Sequence, residues 1–215
     1  MKARLIRSRE IAPNTRHFEF ESPEWKAAFV PGQFLSLTRE GVTRAYSIAS
    51  PPDSNSFALC ANLVQEGHFS PFLFAMQPGD EIDFKGPYGA FIMKRDVSDS
   101  IFVATGTGIA PFRSMLMAGL NRPVTLIFGV RHREGLLYDE ELRTMPIDYR
   151  PTLTRPAAGW TGLTGRVQSH VLRALGERRD VDIYICGLRE MVDELRANLK
   201  EIGLDRKRIV YEKYD

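Results

Sequence analysis

The chain has 215 residues, of which 43% are hydrophobic and 26% are charged, as is typical of a soluble globular protein. Lys and Arg together exceed Asp and Glu by only two, so nucleic-acid binding has no compositional support. Two cysteines, Cys60 and Cys186, exclude a four-cysteine iron–sulfur or zinc cluster held by this chain alone. The absence of a membrane-length apolar stretch and of a signal-peptide core leads us to expect a cytoplasmic protein with no membrane span.

The first half of the chain predicts short strands separated by turn residues. Candidate strands lie at 4–7, 15–21, 33–38, 43–48, 56–63 and 81–84. Turn signals such as Pro31-Gly32 and Pro78-Gly79 fall between them. Six strands in about 90 residues with little helix favour a six-stranded antiparallel β-barrel of the Greek-key type.

One short helix is expected to interrupt the barrel. Ser70 is a residue type that often serves as an N-cap, and Pro71 would then take the first helical position. The backbone N–H groups at such a helix start can bind an anion. We therefore predict an anion-binding helix start inside the barrel domain.

After a polar bridge at 94–100, strands and helices alternate. Strand candidates lie at 100–105, 124–129, 149–154, 182–186 and 208–211, and helices are expected to begin near Pro111, Leu137, Arg166 and Leu188. This alternation predicts an α/β nucleotide-binding domain on a five-stranded parallel sheet. We place the domain boundary near Asp96, which gives domains at 1–96 and 97–215.

The first strand of this half ends in a glycine-rich loop, Thr105-Gly106-Thr107-Gly108, and a helical pattern resumes at Pro111. Such a loop can hold a diphosphate on backbone N–H groups, with help from the helix dipole. The third glycine of the usual dinucleotide fingerprint is replaced by Pro111, so the loop alone is equally consistent with an ordinary βα turn.

A second candidate strand end is Cys186-Gly187. If the strand order reverses after the first three strands of this half, this end and the glycine-rich loop are neighbours across the ligand crevice. Taken alone, Cys186 fits a buried core cysteine better than a functional thiol.

Seven short motifs stand in order along the chain. In the first half they are Arg44-Ala45-Tyr46-Ser47, Gly67-His68-Phe69-Ser70 and the Gly-Pro-x-Gly-x-Phe pattern at 86–91. In the second half they are 106–111, 136–142, Cys186-Gly187 and the terminal Glu212-Lys213-Tyr214. Together they resemble the motifs of the ferredoxin–NADP⁺ reductase family over nearly the whole chain. The resemblance implies an FAD-dependent NAD(P)H oxidoreductase.

The resemblance assigns the flavin to the barrel half. Arg44 would bind the flavin diphosphate through its guanidinium group, which can donate two parallel hydrogen bonds. The backbone N–H groups at Ser70 would bind the same diphosphate, because the start of a helix attracts anions. Tyr46 would lie on one face of the isoalloxazine, and the Ser47 hydroxyl would hydrogen-bond near flavin N5. Singly, Arg44 and Tyr46 are also consistent with a surface arginine and a strand-edge tyrosine. The other cofactor-binding positions of these motifs are Ala45, Gly67, His68 and Phe69.

The same resemblance implies a nicotinamide pocket in the second half. Cys186 and Glu212 would border it and shape approach and proton traffic, without acting as covalent nucleophiles. Tyr214 would cover the flavin face that nicotinamide later occupies, although by itself it is also consistent with a frayed tail. With Ser47, these residues form the expected catalytic set. The nucleotide would contact the loop positions Thr105, Gly106, Thr107, Gly108, Pro111 and Gly187.

The choice of nicotinamide cofactor depends on residues after the second and third strands of this half. The family recognises a 2′-phosphate with a hydroxyl and an arginine after the third strand, often helped by basic residues after the second. Thr154-Arg155 matches the first pattern and Arg131-His132-Arg133 matches the second. Solvated surface arginines are the alternative. We predict NADPH as the cofactor, with NADH possible.

The implied reaction passes hydride from NADPH to the flavin and then electrons to a separate small redox protein such as ferredoxin or flavodoxin. The short chain leaves two alternatives open: an NAD(P)H:flavin reductase that uses free flavin, and a non-catalytic flavin-binding electron-transfer subunit of a larger complex. The four histidines have no metal-ligand spacing, so we expect no metal site.

Overall fold

A computed structural model of the chain describes residues 1–26, 29–53, 55–94, 99–120 and 122–214. They form two compact units, one made of Met1–Met93 and Ala110–Gly119, the other of Lys94–Ile109 and Leu120–Asp215. The boundary expected at Asp96 lies outside the described residues. The two units differ from domains at 1–96 and 97–215 chiefly because the segment Ala110–Gly119 belongs by its contacts to the first unit.

The first unit is built on one antiparallel sheet, as predicted. Its strands are β1 Lys2–Ala12, β2 Thr15–Glu21, β3 Phe34–Arg39, β4 Val42–Ser47, β5 Ser56–Asn62 and β6 Glu81–Tyr88. They lie in the order β4-β3-β6-β1-β2-β5. The sheet is barrel-like but not closed, because the edge strands β4 and β5 form no ladder with each other. Ile48, directly after β4, makes only an isolated bridge with Leu59 in the middle of β5.

Alternating side chains build the core of this unit. Phe18 and Phe20 of β2 and Leu35 and Leu37 of β3 are each at most 1% exposed, as expected for strands with one face on a core. Aromatic rings from neighbouring strands fill the space between these side chains, and the ring centroids of Phe20 and Phe57 lie 5.5 Å apart. Burial of such rings gives the barrel much of its stability.

The short helix α1 spans Ser70–Ala75, and its N-cap is Phe69. The predictions of Ser70 as N-cap and Pro71 as first helical residue are therefore wrong by one position. The Ser70 hydroxyl instead accepts a hydrogen bond from the Val64 N–H at 2.9 Å and donates to the Val64 carbonyl oxygen at 3.2 Å. These backbone groups satisfy the hydroxyl, so it does not fold over the helix start.

The second unit contains a parallel sheet of six strands where five were predicted. They are β7 Ser100–Thr105, β8 Val124–Val130, β9 Asp148–Leu153, β10 Leu163–Thr164, β11 Asp182–Leu188 and β12 Ile209–Tyr214, in the order β10-β9-β8-β7-β11-β12. The additional strand, β10, has two residues, which are too few to show a hydrophobic periodicity in the sequence. The other strands match the predicted ones.

The helices of this unit begin within two residues of their predicted starts. They are α3 Asp139–Thr144, α4 Val167–Leu175 and α5 Arg189–Glu201, and α2 Ala110–Met117 clusters with the first unit. Strand β7 has β8 on one side and β11 on the other, so the strand order reverses there. Ligands of such sheets bind where the order reverses, at the carboxyl ends of the strands. No helix in the described part of the chain is long and apolar enough to cross a membrane.

Candidate functional site

The Arg44–Ser47 motif forms most of β4, an edge strand of the first unit. Arg44 and Ala45 are exposed, Tyr46 is half-buried and Ser47 is buried. The Arg44 guanidinium donates a 2.9 Å hydrogen bond to the carbonyl oxygen of Thr43, which holds its stem along the strand. The motif thus offers a cation and an aromatic ring at an accessible sheet edge.

An aromatic contact brings the two predicted flavin motifs together. The Tyr46 ring lies 6.1 Å from the ring of Phe69, with 36° between their planes. Burial raises the pKa of Tyr46 to about 12, and the charge of Arg44 opposes this shift only partly. The phenol therefore stays neutral at physiological pH. In the second motif Phe69 and Ser70 are buried, while His68 is exposed.

Helix α2 contributes residues to the first unit that the sequence motifs did not single out. Arg113 is buried, and its guanidinium donates a 2.7 Å hydrogen bond to the carbonyl oxygen of Ala49. Ser114 donates to the carbonyl oxygen of Ser50 at 2.6 Å. Both bonds fix the backbone that directly follows the Arg44–Ser47 motif. In the sequence, this role was indicated by a charged residue among the apolar residues of a short helix.

In the second unit the glycine-rich loop forms a 3₁₀ turn, Gly106–Ile109, that leads into α2. Pro111 is consequently the second residue of the α-helix, where the sequence predicted the first. Gly106 has φ +54°, and a side chain added there would meet no atom within 4 Å. The outer side of this turn is therefore open, which suits the approach of a phosphate group.

The glycine-rich loop and the Cys186-Gly187 strand end are in contact, as the topology predicted. A Cβ added to Gly108 would overlap the carbonyl group of Cys186. Beside them, the Leu188 N–H donates to the Thr105 hydroxyl at 3.3 Å. Only glycine fits between these two strand ends without displacing backbone.

Cys186 is fully buried, at 0% exposure. Burial raises the pKa of its thiol well above the usual value, the charge of Glu212 raises it further, and a hydrogen bond with Tyr214 opposes the shift. Cys186 pairs with Glu212 and Leu188 with Tyr214 along the β11–β12 ladder. Tyr214 is thus part of a strand and not a frayed tail. At neutral pH the thiol is a protonated, neutral group.

Three residues proposed to select the nucleotide lie together after β8 and β9. The Thr154 N–H donates to the Val130 carbonyl oxygen at 3.0 Å, and the Arg155 N–H donates to that of Arg131 at 2.8 Å. The side chains of Thr154, Arg155 and Arg131 are all exposed. The two guanidinium groups and the hydroxyl project from segments that are hydrogen-bonded to each other. Together these hydrogen-bond donors suit a phosphate ester.

The two donor sets fit two different nucleotides. In the first unit, a cation and a half-buried aromatic ring at a sheet edge suit a flavin and its diphosphate. In the second, an open glycine-rich turn and a pair of arginines suit a dinucleotide that carries an additional phosphate.

Two family models match the chain in turn. Residues 2–93 match an oxidoreductase FAD-binding domain, and residues 102–197 match an oxidoreductase NAD-binding domain. A protein named ferredoxin–NADP reductase B from Sorangium cellulosum is 37% identical, over 100% of this chain and 97% of its own length. The electron transfer component of a 2-halobenzoate 1,2-dioxygenase from Burkholderia cepacia is 32% identical over 89% of this chain, which spans 60% of that relative.

Solved structures agree with this pattern. A ferredoxin–NADP⁺ reductase from Neisseria gonorrhoeae with bound FAD and NADP has a TM-score of 0.82 and 26% identity, covering 99% of this chain and 98% of its own. A ferredoxin reductase of a carbazole 1,9a-dioxygenase has a TM-score of 0.90 at 23% identity, over 100% of this chain and 69% of its own, and shows the shared fold. The chain belongs to the ferredoxin–NADP⁺ reductase family, as an oxidoreductase with FAD and NAD(P)H as its cofactors.

Proposed function

We propose that the protein takes hydride from NADPH onto a bound FAD and passes the electrons to a separate small redox protein. The observation that carries this proposal is the contact between the glycine-rich turn at Gly108 and the strand end at Cys186. That contact is at the strand-order reversal, where nucleotides bind in such sheets. Bound FAD would supply the hydride acceptor, and the protein supplies binding, orientation and electrostatics.

In the first unit we assign the flavin to the edge strand β4. Arg44 would pair with the diphosphate, for which a guanidinium fork is well shaped. Tyr46, held in place by Phe69, would present its neutral ring to one flavin face. The buried Ser47 would offer its hydroxyl at the reacting edge. Arg113 would keep the backbone after this motif in position through Ala49.

In the second unit we assign the nicotinamide end of the cofactor to Cys186 and its neighbours. Because the Cys186 thiol stays protonated, it would shape the pocket without adding a negative charge near the departing hydride. Glu212 would influence proton traffic, and Tyr214 would hold the nicotinamide position until the cofactor displaces it. Ordered positioning of this kind lowers the entropic part of the barrier.

NADPH is the proposed donor because of the residues that follow β8 and β9. Arg155 and Arg131 are exposed and joined through their backbones, and Thr154 adds a hydroxyl. A 2′-phosphate carries the charge that these groups would bind. NADH, without that phosphate, should be used less efficiently.

A separate redox protein is the proposed acceptor. The chain has only Cys60 and Cys186, too few for a four-cysteine cluster of its own. Because one relative is named a ferredoxin–NADP reductase and another a dioxygenase electron transfer component, ferredoxin is our first candidate and flavodoxin the second. We also propose a cytoplasmic location, since the two buried cysteines form no disulfide in the described part of the chain, which suits a reducing compartment.

An anaerobic titration of the purified protein tests this proposal. We expect a yellow protein whose flavin absorbance bleaches with NADPH faster than with NADH, and which then reduces added ferredoxin. A colourless protein whose turnover depends on added flavin would instead establish a flavin reductase. A coloured protein that neither nucleotide reduces would establish a non-catalytic flavin-binding subunit.

A further inference from the structure

The chain leaves β9 as a loop, residues 154–162, and then returns to the same strand. Arg155 lies at the start of this loop. At its end, β10 at Leu163–Thr164 pairs in parallel with the strand that the loop has just left. The residues of the 154–162 loop are exposed except Trp160, which is half-buried. The loop therefore relies on what holds its two ends.

The two ends of the loop have backbone support. At the start, the Arg155 N–H donates to the Arg131 carbonyl oxygen at 2.8 Å. At the return, β10 offers only two paired residues, and the Gly165 N–H donates to the Leu153 carbonyl oxygen at 2.9 Å. A strand of two residues is shorter than most and makes few ladder hydrogen bonds. Side chains that bond the return therefore matter for its position.

Two buried side chains bond the return of the loop. The Thr152 hydroxyl donates to the Gly165 carbonyl oxygen at 2.8 Å, and His170 Nε2 lies 2.9 Å from the Thr164 carbonyl oxygen. Because a carbonyl oxygen only accepts, Nε2 is the protonated nitrogen and donates. The same Nε2 is 3.2 Å from the Thr152 hydroxyl oxygen, and the two side chains are 7% and 0% exposed. His170 of α4 thus joins the helix to the return of the loop.

The loop and His170 also line one cleft. Its lining includes His170, Trp160 of the loop and Arg133 of the segment after β8. The Trp160 indole donates to the Leu163 carbonyl oxygen at 2.9 Å, which ties its ring to the returning strand. A shift in the return would therefore move this wall of the cleft together with the loop.

We propose that His170 is a positioning residue for the 2′-phosphate of NADPH, and that it acts through the loop that carries Arg155. The inference rests on the proposed function, in which Arg155 binds that phosphate. With both ends of the loop held, Arg155 is ordered before the nucleotide arrives, and less entropy is lost on binding. Without His170, the hold on the return is weakened, and more of that ordering accompanies binding.

Steady-state kinetics of the FAD-loaded protein, with one fixed artificial acceptor, test this role. His170→Leu should raise KM for NADPH by about three- to tenfold, the loss expected when one long side chain must be ordered on binding. kcat with NADPH and KM for NADH should each stay within about twofold, because the phosphate contact does not change during hydride transfer and NADH lacks the phosphate. His170→Gln keeps an N–H donor and should restore most of the affinity for NADPH.

Two further variants separate positioning from general stability. Gln168→Leu removes another buried hydrogen bond of α4, the 2.7 Å bond to Glu194, and should leave both KM values unchanged. Thr152→Val removes the other side-chain bond at the return, the one to Gly165, and should raise KM for NADPH alone. Thr152→Val also keeps the proposal testable should His170→Leu not fold.

A double variant tests whether the effect passes through Arg155. In an Arg155→Ala background, His170→Leu should change KM for NADPH by less than about twofold, since the group that it positions is already absent. A further loss as large as in the parent would overturn the proposal, because His170 would then act by another route.

Other results would also overturn it. An equal rise of both KM values in His170→Leu would make the role of His170 structural only. An unchanged KM for NADPH in His170→Leu and Thr152→Val, with a loss specific to NADPH in Arg155→Ala, would reject the positioning role but keep the proposed phosphate site. An equal loss with both nucleotides in Arg155→Ala would reject that phosphate site, and the positioning role with it.

Discussion

The backbone N–H of Arg155 donates a 2.8 Å hydrogen bond to the carbonyl oxygen of Arg131. This bond joins the segments that follow β9 and β8, and both side chains are exposed beside it. The bond is made by backbone atoms alone and holds the two segments from which these side chains project. A side-chain substitution at Arg155 can therefore remove a charge without removing the bond.

Arg155→Ala should reduce kcat/KM for NADPH by about 10- to 100-fold, since a charge-assisted hydrogen bond contributes roughly 1.5–3 kcal/mol. kcat/KM for NADH should stay within about twofold, because NADH has no 2′-phosphate to lose. Steady-state rates with each nucleotide and one fixed artificial acceptor measure the two values of kcat/KM. Arg206→Ala, which removes another arginine, is the control. An equal loss with both nucleotides would remove Arg155 from the phosphate site.

Gly108→Ala should destabilise the protein by about 1–3 kcal/mol, the usual effect of overpacking. The added Cβ would overlap the carbonyl group of Cys186 and force the two strand ends apart. Gly135→Ala is a matched control, because its Cβ would make ordinary contacts with Val130 from 3.5 Å. Urea unfolding should show a lower midpoint for Gly108→Ala alone. Identical midpoints would show that this close approach is not required for the fold.

Much of the framework could be predicted from the sequence because its signals are local. Ser100–Thr105 contains a continuous apolar run at 101–104, and the second half of Thr15–Glu21 alternates phenylalanine with glutamate. Both strands have their predicted bounds. The neighbourhood of Gly108 and Cys186 followed from a general rule about parallel sheets. Each of these predictions needs only residue type, period and strand order.

The predictions that were wrong depend on partners the local pattern does not contain. Ser70 has the residue type of an N-cap, but its hydroxyl is taken by the backbone of Val64, six residues earlier. Arg113 bonds a carbonyl group 64 residues away in sequence, which no local pattern contains. Strand β10 exists because two residues pair with Thr152 and Leu153, and two residues have no periodicity.

Tyr214→Ser should tighten NADP⁺ binding by about tenfold. If the Tyr214 ring holds the nicotinamide position, the nucleotide binds fully only in the fraction of molecules from which the ring has moved. Tyr211→Ser, on the same strand β12, should leave the affinity unchanged. Titrations that follow the flavin spectrum measure both. Unchanged affinity and an unchanged spectrum for Tyr214→Ser would mean that the ring does not cover the flavin.

Cys186→Ser should slow flavin reduction by NADPH by about tenfold while preserving the fold, because small errors in positioning cost that much in rate. Serine is close in size to cysteine, so the fully buried site remains filled. Cys60→Ser replaces the other buried thiol and should leave the rate unchanged. Stopped-flow reduction and urea midpoints measure the two effects. A normal rate for Cys186→Ser would show that the thiol only fills space.

His17 should make the stability depend on pH. Burial, together with the nearby charges of Arg113 and Arg9, lowers the pKa of His17 to about 4, although the charge of Glu19 opposes this shift. The unfolded chain, with a histidine pKa of about 6.5, binds more protons than the folded chain between those values. The free energy of unfolding therefore falls as the pH drops from about 6.5 to 4, by up to roughly 3 kcal/mol from this group.

His17→Gln should remove this pH-dependent part of the free energy of unfolding, because glutamine does not titrate. Urea unfolding of the FAD-loaded protein at half-unit steps from pH 7 to pH 4 measures it as the difference between the variant and the parent. Carboxylates distant from His17 that protonate in the same range affect both proteins equally and cancel in that difference, whereas Glu19, 3.4 Å from the His17 ring, contributes to it as the partner of His17. His68→Gln, at an exposed position, should keep the slope of the parent. Parallel curves for His17→Gln and the parent would mean that His17 protonates in the folded protein as readily as in the unfolded chain.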